Sequence, residues 1–147
     1  TSDLATQRFG AVYLFNMTTN PPPELADYLY ISASVTEKTA AEKGELLTAY
    51  CRGLALALRA IHADPAAFKE WARGFFSGME PQLFEAAFAN NVGIYMRDPT
   101  PTPAQFALNL EFLREELRLV NQPPPPASFS FEDAWDLRFV RQAVQGL

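Results

Sequence analysis

The chain carries one cysteine and one histidine, and its few glycines are scattered. Each scarcity excludes something. Cys51 alone cannot form an internal disulfide, which leaves the redox compartment open. A Ser-His-Asp or Cys-His centre would have to use His62. That residue closes an apolar helical stretch and precedes Asp64-Pro65, where a histidine serves the C-terminal helix dipole, so its reading is structural. One His with one Cys would force a zinc site onto carboxylates, so neither metal nor cofactor is expected. The seven glycines are dispersed and build no phosphate loop. No apolar run approaches the roughly 18 residues of a membrane span. Basic residues do not cluster and net charge is -5, which argues against nucleic-acid binding and polybasic membrane attachment. The chain opens on Thr1-Ser2-Asp3-Leu4, without methionine or a basic and apolar leader, and so reads as processed, trimmed or excerpted.

What is present is material for a core. Hydrophobic residues make up 48% and phenylalanines number 12, which excludes disorder over the whole length. A length of 147 residues suggests one domain.

Residues 10–17 and 28–35 are β-prone runs, separated by Asn20-Pro21-Pro22-Pro23, which no strand can cross. From residue 37 the texture becomes helical. Leu46, Leu47, Tyr50, Cys51, Leu54, Leu58 and Ile61 recur at steps of three and four and predict one wide apolar face. Gly53 within that helix costs about 1 kcal/mol against alanine and would permit a close helix crossing. Three later helices are expected to start at Asp64-Pro65, Glu80-Pro81 and Thr102-Pro103, because proline lacks only an amide hydrogen that would have no partner there. Gln105 follows Thr102 at the spacing of a capping box. Phe106, Leu110, Leu113 and Leu117 would line one side of the third helix. Pro123 to Pro126 form an extended connector, and Ser130 opens a last helix with Asp133 three residues on. Trp135, Phe139 and Val140 would be its buried face.

The carboxylates of Glu111, Glu115, Glu116, Glu132, Asp133 and Asp136 neighbour Arg114, Arg118, Arg138 and Arg141 at helical spacing, which reads as solvated ion pairs. Phe68, Trp71, Phe75, Phe84, Phe88 and Phe112 sit at helical spacing and are expected in the core. Phe15, Tyr28 and Tyr30 lie at strand ends beside polar residues, the mixture that lines small-molecule clefts.

The order of these signals resembles the C-terminal half of the periplasmic substrate-binding proteins that serve nitrate, sulfonate, taurine and thiamine-pyrimidine-precursor importers. Gly44-Glu45-Leu46-Leu47 and Ala49-Tyr50-Cys51-Arg52-Gly53-Leu54 stand where the family has a short turn and an Ala- and Arg-containing helix. Ile61-His62-Ala63-Asp64-Pro65-Ala66-Ala67 matches its Ile-x-x-Asp/Asn-Pro step, and Met79-Glu80-Pro81-Gln82-Leu83 its Leu-Asp-Pro-Glu-Leu. Thr102-Pro103-Ala104 with Glu111-Phe112-Leu113 matches its Thr-Pro-Glu helix ending near Asp-Phe-Leu. The tail Trp135-Asp136-Leu137-Arg138-Phe139-Val140-Arg141-Gln142-Ala143 resembles Val-Asp-Leu-Ser-Phe-Val-Glu-Gln-Ala. The match spans about residues 25–145, judged by helix-start spacing.

The resemblance implies an exported, periplasmic bacterial protein of two lobes that closes on a small solute and delivers it to an ABC importer permease. The expected fold class is α/β and predominantly helical. It would be a partial type II binding-protein lobe with two short N-terminal strands followed by about five helices. The whole of 1–147 would be the C-terminal portion of such a protein. Ligand contacts would come from Phe15, Asn16, Thr18, Thr19, Asn20, Tyr28 and Tyr30. The two strands would lack neighbours and expose paired edges, so self-association through them, or membership of a larger precursor, is expected. No catalytic residue is expected. An enzyme of thiamine pyrimidine synthesis would need a Cys- and His-containing motif that Cys51 and His62 do not form. The alternative from another class is a helical effector-sensing or protein-interaction domain of a regulator.

Overall fold

Proline and capping residues set the helix starts in the computed structural model, which describes residues 2–147. The α-helices are α1 (Ser2–Phe9), α2 (Glu37–Glu42), α3 (Gly44–Ala63), α4 (Pro65–Phe75), α5 (Pro81–Asn91), α6 (Pro103–Leu119), α7 (Phe131–Ala134) and α8 (Arg138–Val144). Asp64 caps α4, its Oδ1 accepting the Ala67 amide at 2.9 Å. Thr102 and Gln105 form a reciprocal capping box on α6. Glu80 precedes α5 without capping it and instead pairs with Arg8 at 2.7 Å. The three proline-started helices begin where the sequence places them.

The fold class does not hold as expected. Among the described residues no strand ladder forms, and the chain is all-helical apart from loops. The sole bridge among the described residues is an isolated antiparallel one between Asn16 and Asn20. The physical reason is pairing. A β-prone run gains little alone, since its backbone groups need a neighbour and its apolar face a cover. Residues 28–36 run without helix, turn or bend; residues 10–15 begin at the left-handed Gly10, where the Ala11 amide reaches back to the Ala5 carbonyl at 3.3 Å, and bend at Leu14; neither run has a strand beside it.

The chain divides into two compact units, and the division falls within α3. The first takes residues up to Ala26 with Leu56–Asp98, the second Asp27–Ala55 with Pro99–Leu147. In the first, Leu58, Ile61, Ala72 and Phe84 are buried. Asp3 is also buried; its Oδ1 accepts from Tyr13 Oη at 2.8 Å and from Asn90 Nδ2 at 2.6 Å, which fastens α1 to α5. In the second, Ala55, Leu110, Val140 and Ala143 are buried. Arg52 donates to the Ala143 carbonyl at 3.2 Å, and a Cβ on Gly44 would meet Phe139 at 3.4 Å, so α3 lies close on α8.

The expected wide face of α3 narrows to a stripe. Ala55, Leu58 and Ile61 are buried and Leu47 and Cys51 half-buried, whereas Leu46, Tyr50 and Leu54 are exposed. Gly53 permits no close crossing, because nothing lies within 4 Å of the place a Cβ would take. The expected last helix breaks in two. After the Ser130–Asp133 capping box of α7, Trp135 turns extended, and Asp136 takes the Arg138 amide at 3.2 Å and its guanidinium at 2.6 Å. The side chain of Asp136 thus replaces a turn of helix. α6 ends on Asn121 at φ 56, with the Gln122 amide reaching the Leu117 carbonyl at 2.8 Å, the left-handed stop that asparagine tolerates.

Candidate functional site

Five of the seven expected ligand-binding residues lie in the first unit and two in the second. Asn16 to Asn20 form a tight turn. Asn16 Oδ1 accepts the amides of Thr18 at 2.8 Å and Thr19 at 3.3 Å, and its carbonyl accepts Asn20 N–H at 2.7 Å. The Asn16 side-chain oxygen is therefore occupied by its own backbone, as Asx turns require. Gly93 backs this turn, where a Cβ would come within 3.3 Å of the Thr18 methyl. Phe15, just before the turn, is exposed.

In the second unit Tyr28 and Tyr30 do come together. Their rings stand 4.8 Å apart, and Phe112 meets Tyr28 edge-on at 5.4 Å. Partial burial, with the neighbouring Tyr28 second, pushes the Tyr30 phenol above its ordinary range. Between the two rings Leu29 is held by Asn109 of α6. Leu29 N–H donates to Asn109 Oδ1 at 3.0 Å, and Asn109 Nδ2 donates to the Leu29 carbonyl at 2.9 Å. One side-chain amide thus satisfies both backbone groups of an extended residue, as a neighbouring strand would. Asn109 is the residue that sequence reading missed. Its signal is a polar side chain of poor helix propensity between Phe106, Leu110 and Leu113.

Two cations of the first unit that could hold an anionic solute are committed to one carboxylate. Lys69 and Arg73 of α4 both pair with Glu85 of α5. Their heads also lie over aromatic rings, Lys69 at 5.7 Å from Phe88 and Arg73 at 5.3 Å from Phe84. The Lys69 hydrogen bond, joined by the two positive charges and the Arg73 hydrogen bond, holds the Glu85 carboxyl below its ordinary range. Glu115, Asp133 and Asp136 are lowered too, by Arg118, by Ser130 and by Arg138. All four have the same sign. A depressed folded pKa contributes stability that is present above the unfolded value of about 4 and lost as pH falls through the folded one. Thermal stability should therefore fall on acidification from about pH 5 to pH 3. Glu85→Gln should flatten that limb in a pH series of melts, and an unchanged slope would show that Glu85 contributes nothing. Because the pair is solvent-exposed, salt should weaken the effect.

His62 is tied to backbone. Its Nε2 donates toward the Tyr95 carbonyl at 2.8 Å and that of Met96 at 3.3 Å. Among the described residues no three His, Cys, Asp or Glu side chains gather as a metal site, and no helix is long and apolar enough to cross a membrane. Surface depressions are open. One, of about 650 Å³, is lined by Ala107, Glu111, Arg114, Glu115 and Arg118, all on α6, so it has no opposing wall.

The expected aromatic core divides in the same manner. Phe84 is buried and Phe68 and Phe88 are half-buried, but Trp71 is 64% and Phe75 72% exposed. Trp71 stacks on Phe75 at 5.9 Å, and Phe75 meets Phe76 edge-on at 5.0 Å, in a patch on the outer side of α4. Phe112 is also exposed, although it touches Tyr28. No family model, curated protein or solved structure matches the chain.

Proposed function

We propose that this chain is part of a solute-binding protein that hands a small solute, of the sulfonate, nitrate, taurine or pyrimidine type, to an ABC importer. The observation that carries the reading is the order of helix starts. α4, α5 and α6 open at Asp64-Pro65, Glu80-Pro81 and Thr102-Pro103, the steps on which the likeness to such proteins rests. The Tyr28–Tyr30–Phe112 cluster adds aromatic wall of the kind that packs against a flat or alkyl solute. Binding should raise the melting temperature. A solute at about 100 times its Kd adds about 2.7 kcal/mol, which corresponds to a rise on the order of 5–10 °C for a chain of this size. Calorimetry and melts against taurine, alkyl sulfonates, nitrate and pyrimidines test it. No heat and no shift across that panel would remove the transport reading.

A second reading is a helical protein-interaction domain of a regulator. The exposed Trp71–Phe75–Phe76 patch favours it, since exposed aromatic clusters mark contact surfaces. A solute that raises the melting temperature would argue against it.

A further inference from the structure

The segment from Leu29 to Thr36 alternates without a break. Leu29, Ile31, Ala33 and Val35 are apolar, and Tyr30, Ser32, Ser34 and Thr36 carry hydroxyls. That is the period of a half-covered strand. Yet Tyr30 to Thr36 are all exposed, Ile31 at 91%, and no backbone hydrogen bond engages residues 30–35. Leu29 shows which way the segment faces. Its N–H and carbonyl both point to Asn109, and in an extended chain residues of like parity share an edge. The edge of Leu29, Ile31, Ala33 and Val35 is thus turned toward α6. The opposite edge presents the donors and acceptors of Tyr30, Ser32 and Ser34.

The geometry points to a second copy of this chain as the partner of that open edge, in an antiparallel pair with its two-fold axis at Ala33. This proposal is independent of the transport reading. Only an even register is compatible with a two-fold axis through an antiparallel pair, because facing residues must lie on one side of the ribbon. Centring on Ala33 sets Ser32 against Ser34 and Tyr30 against Thr36 of the other copy as hydrogen-bonded pairs, on the edge away from Asn109. Ile31 then faces Val35, and Ala33 faces Ala33, as the closer non-hydrogen-bonded pairs. One face of the ribbon is continuously apolar and the other carries facing hydroxyls, both favourable cross-strand combinations. Centring on Ser32 instead would set Ile31 against Ala33 and Leu29 against Val35, and Asp27 against Glu37, two like charges. Charge also permits two copies to meet along this segment in either register. No charged residue lies between Tyr28 and Thr36, so two copies of net charge -5 meet there without local repulsion.

The register makes a cross-linking prediction. Non-hydrogen-bonded partners lie about 4.5 Å apart between Cα atoms, within the range a disulfide spans. In a Cys51→Ser background, Ala33→Cys should oxidise to a disulfide-linked dimer, and Ser32→Cys should not. Light scattering over a concentration series should show the 16.4 kDa chain doubling in mass. Ser32→Pro removes a donor from the pairing edge and should raise the dimer dissociation constant at least about tenfold. Far-ultraviolet circular dichroism controls for folding, since residue 32 lies outside every helix. A monomer at all concentrations, with unprotected amides at 30, 32 and 34, would overturn the proposal. So would a dimer that Ser32→Pro leaves intact and Ala33→Cys does not cross-link.

Discussion

Phe84→Ala should destabilise the protein by about 3–5 kcal/mol and unfold the first unit. Only Leu58, Ile61, Ala72 and Phe84 are buried apolar residues there among the described residues, and Phe84 is the largest, 5% exposed. Its ring touches Phe88 at 6.0 Å and lies beneath the Arg73 guanidinium at 5.3 Å. Truncation therefore opens a cavity and also removes the surface on which the Arg73–Glu85 pair rests. The cavity dominates, because a solvent-exposed ion pair contributes little to stability. With so few buried neighbours, the site cannot refill the space from other side chains. The two tryptophans separate the units: Trp71 reports on the first and Trp135 on the second. Urea unfolding followed by Trp71 fluorescence in a Trp135→Phe background should show the transition moving to lower denaturant. Phe84→Leu, which keeps most of the volume, should lose less. A loss below about 1 kcal/mol for the alanine variant would mean that Phe84 is not the centre of that unit.

The contrast between Phe84 and Trp71 shows what the sequence could and could not convey. Both sit at helical spacing within an aromatic-rich stretch, and both read as core. One is buried and the other mostly exposed. Spacing says which residues share a helix face, but what covers that face is decided by elements distant in the chain. Helix starts were legible for the opposite reason. Asp64 with Ala67, and Thr102 with Gln105, act within four residues, so local chemistry suffices. The strands failed on the same distinction. Residues 28–35 have the right alternation and extended course, but a strand exists only with a partner, and no local signal supplies one. The candidate ligand residues share that limit. Asn16 to Asn20 read as polar groups beside a strand end, whereas they form a turn whose principal acceptor closes on its own amides. What could have been read is Asn109, an unfavourable residue for a helix interior flanked by apolar ones, a placement that asks what its side chain is bonded to.

That residue carries the second large effect. Asn109→Leu keeps the branched skeleton of the side chain and improves helix propensity by about 0.5 kcal/mol, so an isolated helix would gain. The protein should instead lose about 1–3 kcal/mol, because both backbone groups of Leu29 lose their partner at a half-buried position. The sign of the net change decides whether the Asn109–Leu29 pair matters. A more stable variant would mean that water replaces the side chain at no cost. Asn109→Asp gives a finer test. An ionised carboxylate still accepts from Leu29 N–H but sets an oxygen against the Leu29 carbonyl, where the amide had donated. Protonation would restore the donor. The variant should thus regain stability relative to the parent as pH falls toward about 4, a carboxyl whose folded pKa is raised because its neutral form makes the additional bond. Amide exchange at Leu29 reads the contact directly. Near-ultraviolet circular dichroism of Tyr28, Tyr30 and Phe112 reports whether the aromatic cluster survives without it. If the cluster signal persists while Leu29 exchanges freely, ring packing alone positions the segment; if both are lost together, Asn109 is the clasp that presents residues 30–36 at the surface.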